Sequence, residues 1–354
     1  MANSKLTLII DGNWLLMSRL SVLNNRFADD NELVNELKLL LIKSIKLVLK
    51  TFTSVDNIII VADGGSWRNN LKIPEFLYSE HEIVEYKGNR EKSDEINWKL
   101  IFEGYEDLLN LLNQHGVNIS KCSDIEGDDW CYHWSTLLNS QNTNCIIWTK
   151  DNDLKQLVKT NKDKCFTVWW NKDSGLFCEN KDEEDLDFLF NNQFNTNNQI
   201  FEELVSKSVN VSKIYPKNIV IDKIIRGDAG DNIFPIIQKQ SSPTSTRKYK
   251  VSTKDIDYDI DYHDEAQIRN YIYDLVESKK YKGKILENSP EKIVEHFIYN
   301  EKLVALDKYS YPQEILNIFD KNRKYNLCNI DNINQVESQL IASGNKIQSI
   351  LDII

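Results

Sequence analysis

Long apolar runs are missing from this chain. Nowhere in its 354 residues do about eighteen uncharged apolar residues follow one another, so no membrane-spanning helix is expected. The opening MANSKLTLII carries only a short apolar run that stops at Asp11 and Gly12, and no signal peptide is read there. Cysteine is sparse and unpatterned. Cys122, Cys131, Cys145, Cys165, Cys178 and Cys328 never fall two or three apart, which argues against a zinc ribbon or a redox pair. Their neighbours are mostly apolar, as for reduced thiols in a core, and a cytoplasmic setting is expected. His81, His115, His133, His263 and His296 are scattered without the close pairing of zinc sites, so any metal would be held by oxygen. Positive charge is in deficit too: 43 Lys and Arg against 54 Asp and Glu leave a net charge of -11. Such a balance excludes a protein that coats nucleic acid through a broad basic surface, while leaving room for local basic segments.

What is present is enough apolar material for a sizeable core, with 41% hydrophobic residues and 10% aromatics. KLTLIID (5–11), NIIIVAD (57–63), GVNIS (116–120) and NCIIWTKD (144–151) are short β-branched runs, mostly stopping at a carboxylate or polar residue, and read as buried strands. Between them, residues 32–52, 93–115 and 126–140 repeat apolar positions at three and four, as amphipathic helices do. Strands alternating with helices predict an α/β fold, a mainly parallel central sheet flanked by helices. In such sheets ligands bind beyond the carboxyl ends of the strands, where Asp11, Asp63 and Asp151 fall.

One aspartate ending a strand is an ordinary cap or turn former. Here there are more. In IEGDDW, Glu126 and Asp129 share a face if a helix starts there, with Asp128 on the adjoining edge. In TKDNDLKQL, Asp153 follows Asp151 by two and is either a helix cap or a member of the same group. In IIRGDAGDN, Asp228 and Asp231 are three apart with small residues between them. Nine clustered carboxylates would repel one another and raise their own pKa values unless cations sat among them. Hard divalent ions such as Mg²⁺ take carboxylate and water oxygens and share phosphate oxygens, and pairs of them hydrolyse phosphodiesters.

The motifs LIIDG, VADGGSWRNNL, YKGNR, IEGDDW, TKDNDLKQL and IIRGDAGDN occur in this order over about residues 5–235. Together they resemble the 5′-nuclease family, the flap endonucleases and 5′ to 3′ exonucleases, and within it most closely the RNase H type 5′-nucleases of T-even-like phages. The resemblance implies a PIN-like 5′-nuclease fold with a helical arch at about 86–110 in a nuclease domain of residues 1–235. It implies a helical DNA-binding region over 236–354. It also implies two Mg²⁺ ions, with Mn²⁺ able to substitute. Asp11, Asp63, Glu126, Asp128 and Asp151 would surround the first ion, Asp153, Asp228 and Asp231 would lie toward the second, and Asp129 would support them. Arg68, Lys87 and Arg90 match positions where the family places cations on the scissile phosphate. Expected substrates are branched, flapped or nicked DNA and RNA·DNA hybrid, handled by a monomer during DNA replication, in a host cytoplasm if the chain is phage-encoded. A PIN-type ribonuclease, an inactive DNA-binding protein on the same fold and a phosphomonoesterase remain alternatives.

Outside those motifs, Trp67 and Tyr86 lie beside basic residues and either stack on unpaired bases or pack against the sheet. The family's glycine-rich hairpin is absent, since no glycine occurs between Asp231 and Gly283. In its place QKQSSPTSTRKYKVSTK (238–254) carries Lys239, Arg247, Lys248, Lys250 and Lys254 without an acid, a basic loop suited to duplex phosphates. Beyond it the pattern is helical, with Ser289 before Pro290 as a helix start. The tail NKIQSILDII loosely resembles peptides inserted into sliding clamps, which would be a partner alongside a single-strand-binding protein; an amphipathic helix end is the alternative. The acid-dense stretches 180–189 and 255–265 follow no apolar strand and read as solvated faces or loops.

Overall fold

The computed structural model describes residues 6–23, 27, 29–80, 84–90, 96–161, 165–180, 196–237, 239–240, 248–278, 281 and 289–343. The chain forms two compact units, each assembled from separated segments. The first comprises Met1–Gly65, Ser93–Ile214 and Ile318–Ile354, the second Ser66–Lys92 and Tyr215–Asn317.

The first unit is built on an eight-stranded sheet of order β3-β2-β1-β4-β6-β7-β8, with β5 paired to β6. Its strands are β1 (Leu6–Asp11), β2 (Asn57–Val61), β3 (Asn118–Ser120), β4 (Asn144–Trp148), β5 (Lys159–Asn161), β6 (Cys165–Asn171), β7 (Gly175–Glu179) and β8 (Val211–Ile214). All pairings are parallel except β5 with β6 and β6 with β7, so the expected mainly parallel sheet is present. The central strands are buried along their whole length and mostly apolar, because both faces are covered. Alternate residues Leu8, Ile10, Ile58 and Ile60 join one core with α1 (Gly12–Leu23), α2 (Asp30–Thr51) and α4 (Trp98–Gln114). Helix α5 (Gly127–Ser140) packs against β1 and β4.

Strands β5 to β8 were not foreseen. CFTVWWN is as apolar and β-prone as β1, and the NKDSG turn before GLFCE was the available hairpin signal. Asp29 caps α2 by accepting from the Asn31 and Glu32 N–H groups. Helix α6 (Thr196–Ser206) precedes β8.

The second unit is helical: α3 (Glu75–Glu80), α7 (Pro216–Arg226), α8 (Glu265–Glu277) and α9 (Pro290–Val304), with α9 packed on α7 and α8. Ile221, Ile224, Ile225, Ile268, Ile272 and Phe297 form its core. Ser289 caps α9 with Pro290 in its first turn, as the sequence indicates. Helix α10 (Gln313–Lys321) spans the boundary, and α11 (Ile330–Ala342) belongs to the first unit. There Ile333, Val336 and Leu340 join the core, and Lys46 pairs with Glu337. The basic segment differs from the expected loop: Lys239–Gln240 and Lys248–Tyr249 pair as an antiparallel ladder, and Val251, 1% exposed, anchors the exit. Arg247 and the clamp-like tail lie outside the described residues, as do 181–195. In 255–265 the acids serve turns and a cap: Asp257 and Asp261 accept from the N–H groups two residues on, and Asp264 caps α8. Among the described residues no helix is long and apolar enough to cross a membrane.

Candidate metal centre and basic turn

Parallel register brings the strand ends level. Asp11 pairs with Val61, and Ile10 with Trp148, so Asp63 lies two residues and Asp151 three residues past the ends of neighbouring strands. The side chains are then tied by short bonds. Asp11 accepts from the Trp14 N–H at 3.0 Å and from the Thr149 hydroxyl at 2.7 Å. The same hydroxyl accepts from the Asp151 N–H at 2.9 Å, and Asp151 Oδ1 accepts from the Asp153 N–H at 2.8 Å. Asp63 accepts from Asn13 Nδ2 and from the Gly127 N–H, both at 2.6 Å, linking the starts of α1 and α5. Thus β1, β2, β4 and α5 converge on one group of acids.

Glu126 is the N-cap of α5 and forms a capping box with Asp129, whose carboxylate accepts from the Glu126 N–H at 3.2 Å. Glu126 and Asp129 are buried, Asp128 is half-buried in the first helical turn, and Asp63 is exposed. The Asp129 carboxylate is thus engaged in holding the helix start, in line with a supporting acid.

Electrostatics agree with the convergence. Burial pushes the Asp11 carboxyl up to about 7, and Asp63 and Asp151 add to it, against the bonds from Trp14 and Thr149. Burial also raises the Cys131 thiol, helped by charge from Asp11, Asp128, Asp151 and Asp63, which places all four around the start of α5. Nearby, the buried Tyr105 hydroxyl has no hydrogen-bond partner among the described residues, and Asp11 and Asp63 raise it after burial. A hard divalent cation fits such an all-oxygen donor set, because its charge offsets both the burial and the mutual repulsion that raise Asp11. The residues present therefore suit Mg²⁺.

The second unit holds Asp228 and Asp231 in a loop closed by two backbone bonds, Asp228 N–H to Ile233 O and Ile233 N–H to Asp228 O. Gly227 enters this loop at φ 64, and a Cβ there would lie 2.3 Å from the Ile233 oxygen, so only glycine fits. Asp228 pairs with Lys223 at 2.5 Å. Burial raises its carboxyl, but Lys223 and the Gly230 N–H outweigh that and hold it below the usual range.

YKGNR docks on this loop. The Lys87 N–H donates to Asp231 O at 2.9 Å, Asn89 Nδ2 to Ala229 O at 2.9 Å and Asn232 Nδ2 to Glu85 O at 2.9 Å, while Arg90 pairs with Asp231. Lys87 and Asn232 both sit at positive φ, 57 and 58, a conformation costly for lysine and held here by the interlocking bonds. The Lys87 ammonium lies 4.8 Å from the Tyr86 ring centre, and Lys250 is exposed.

One expectation needs correcting, that for Arg68, and of the two readings open for Trp67 the structure shows packing. Arg68 is 3% exposed, its guanidinium 4.6 Å from the Trp67 ring and donating to the Leu303 carbonyl at 3.0 Å, which is a packing role within the second unit. Trp67 is 4% exposed and packs on Tyr311, so it offers no free ring for stacking. Missed by the sequence reading were Asn13 and Thr149, which orient Asp63 and Asp11; "DGN" and "WTKD" beside the acids were the only signal.

With this geometry in view, the chain has the fold of the 5′-nucleases. Solved structures similar to this chain include bacteriophage T5 proteins. A variant of the T5 flap endonuclease in a complex with DNA and metal ions aligns with a TM-score of 0.52 at 15% identity, covering 94% of this chain and 100% of that one. T5 5′-exonuclease with zinc bound gives 0.51 at 16% identity over 94% and 99%. A T5 protein co-crystallised with metal ions gives 0.50 at 15% over 96% and 99%. No protein-family model and no curated protein matches the sequence. The likeness is one of fold.

Proposed function

We propose that the chain is a divalent-metal-dependent 5′-nuclease that hydrolyses phosphodiesters near 5′ ends of flapped or nicked DNA and RNA·DNA hybrid, removing primers or flaps during replication. The observation that carries this reading is the convergence of Asp11, Asp63, Glu126, Asp128 and Asp151 at the carboxyl end of a parallel sheet, where burial first and the neighbouring carboxylates second push Asp11 up to about 7. The chemistry a bound pair of Mg²⁺ or Mn²⁺ ions supplies is activation of water and neutralisation of phosphate charge. In this proposal Asp11, Asp63, Glu126, Asp128 and Asp151 hold the first ion, and Asp129 keeps Glu126 in place. Asp153, Asp228 and Asp231 serve the second, as the motif order implies. Thr149 and Asn13 fix the rotamers of Asp11 and Asp63, so the carboxylates meet the ions without rearrangement.

Lys87 and Arg90 are proposed to take the scissile phosphate, stabilising charge that develops on its oxygens. Tyr86, Arg247, Lys248 and Lys250 contribute to holding DNA, with the segment over 236–354 as the duplex-binding part. Arg90, which pairs with Asp231, would be free to take phosphate if Asp231 held a cation. The setting is the host cytoplasm if a phage encodes the chain, with a monomer as the working form.

The decisive experiment is incubation with 5′-flap DNA and an RNA·DNA hybrid in Mg²⁺, with an EDTA control. Short 5′-terminal products that disappear in EDTA are expected; no cleavage of either substrate in Mg²⁺ or Mn²⁺ sinks the reading. Lys87→Ala and Arg90→Ala are each expected to lower the single-turnover rate by about 10² while duplex affinity, measured in Ca²⁺, changes less than about threefold. Equal losses in rate and affinity would make the two residues phosphate anchors instead.

A further inference from the structure

A cleft of about 620 Å³ opens in the first unit between α1, the second half of α2 and the ends of β4 and β6, lined by none of the residues assigned above to metal or phosphate. Its volume is that of a small-ligand site, within the range of about 300–1,000 Å³. One wall is aromatic. Trp14, half-buried, meets Trp148 edge to face at 5.8 Å, and Trp148 lies 6.5 Å from Trp170. The rim is cationic: Arg19, Lys150, Lys172 and Lys207 face a single acid, Asp173, which Lys150 pairs at 3.7 Å. In a chain of net charge -11, a cleft carrying an excess of three positive charges stands out.

Two buried donors around it, Arg19 Nε and Trp170 Nε1, have no acceptor among the described residues. An unpaired buried donor costs about 1–3 kcal/mol, which an arriving acceptor removes. Burial also lowers the Arg19 pKa in spite of Asp173, a penalty that an anion beside it would offset. Aromatic faces combined with cations and unpaired donors match one ligand chemistry, a nucleotide, whose base stacks and whose phosphate is anionic.

Position favours a nucleotide within a strand. Trp14 donates its N–H to Asp11 at 3.0 Å, and Lys150 immediately precedes Asp151, so the cleft begins where the carboxylate group ends. We propose that this cleft holds an unpaired nucleotide of a single strand, stacked on Trp14 with its phosphates on Arg19 and Lys172, next to the metal centre. The proposal rests on the nuclease reading for the source of the strand, but binding to the cleft requires neither metal nor cleavage.

The test is fluorescence anisotropy of the full chain with a labelled oligothymidylate of about a dozen nucleotides, in EDTA, across a salt series. Arg19→Gln, Lys172→Gln and Trp14→Ala are each expected to weaken binding by about five- to tenfold. Combining the two cation changes should reduce the salt slope by roughly 1.4, about 0.7 for each lost contact. Lys172 is exposed, so Lys172→Gln stays informative should a buried change unfold the chain. Unchanged affinity and slope in variants that melt like wild type overturn the proposal. So does tight cleft-dependent binding of thymidine 5′-monophosphate without oligonucleotide binding, which makes it a free-nucleotide site. Self-association abolished by Lys172→Gln would assign the cleft to a second copy and also overturn it. A wild type that cleaves flaps while the variants bind normally sinks only the cleft, and one that binds strands here but never cleaves sinks only the nuclease.

Discussion

Asp128→Asn is expected to reduce Mg²⁺-dependent cleavage of a 5′-flap substrate by at least about 10³-fold while leaving the melting temperature within about 2 °C of wild type. The substitution keeps size and hydrogen-bonding shape but removes one negative charge from a group that contains Asp11, Asp63 and Asp151. Two opposing effects on stability are small. Loss of a first-turn acid costs α5 about 0.3–1 kcal/mol, and relief of repulsion among the carboxylates returns a similar amount. Activity has no such compensation, because a neutral amide is a poor ligand for a hard divalent ion. Single-turnover cleavage beside calorimetric titration with Ca²⁺ separates the outcomes. A variant within about tenfold of the wild-type rate sinks the metal assignment of Asp128, whereas wild-type Ca²⁺ affinity with lost cleavage moves Asp128 from holding the ion to aligning water.

Gly64→Ala is expected to have the largest effect on stability. A Cβ at Gly64 would lie 1.8 Å from the Cys122 carbonyl oxygen and 2.4 Å from its carbon, and both are backbone atoms that no rotamer change can move. The approach exists because the Gly64 N–H donates to Ile125 O at 3.1 Å, stitching the end of β2 to the segment before α5. Opening this contact should cost about 3 kcal/mol or more, a fall in melting temperature of about 6–12 °C. Cleavage should fall with it, since Asp63 is the preceding residue and spans α1 and α5 through its carboxylate. Lys121→Ala, at an exposed neighbouring position, is the control. If Gly64→Ala melts with the wild type, the close approach is not a constraint on this loop.

Legibility followed the range of the interactions. Strands β1, β2, β3 and β4, the helices near 30–51, 98–114 and 127–140, and the Ser289–Pro290 start of α9 were all readable, because burial patterns and caps are local. The acids at strand ends were readable for the same reason: a parallel sheet puts its carboxyl ends level whatever the loops do. Arg68 shows where this stops. Its polar neighbours in SWRNNL suggest an exposed cation, yet Leu303, distant in sequence, supplies the carbonyl that holds it inside.

By itself, then, the sequence determined an α/β chain with carboxylates gathered at the ends of its parallel strands, since period and punctuation along the chain suffice for that. Only the tertiary structure decided that YKGNR interlocks with RGDAGDN about 140 residues away, that α11 returns to the first unit, and that Trp14, Trp148 and Trp170 form the wall of a cleft. Those outcomes depend on which buried donors find which distant acceptors, and on which apolar faces meet. No local stretch of residues carries that information.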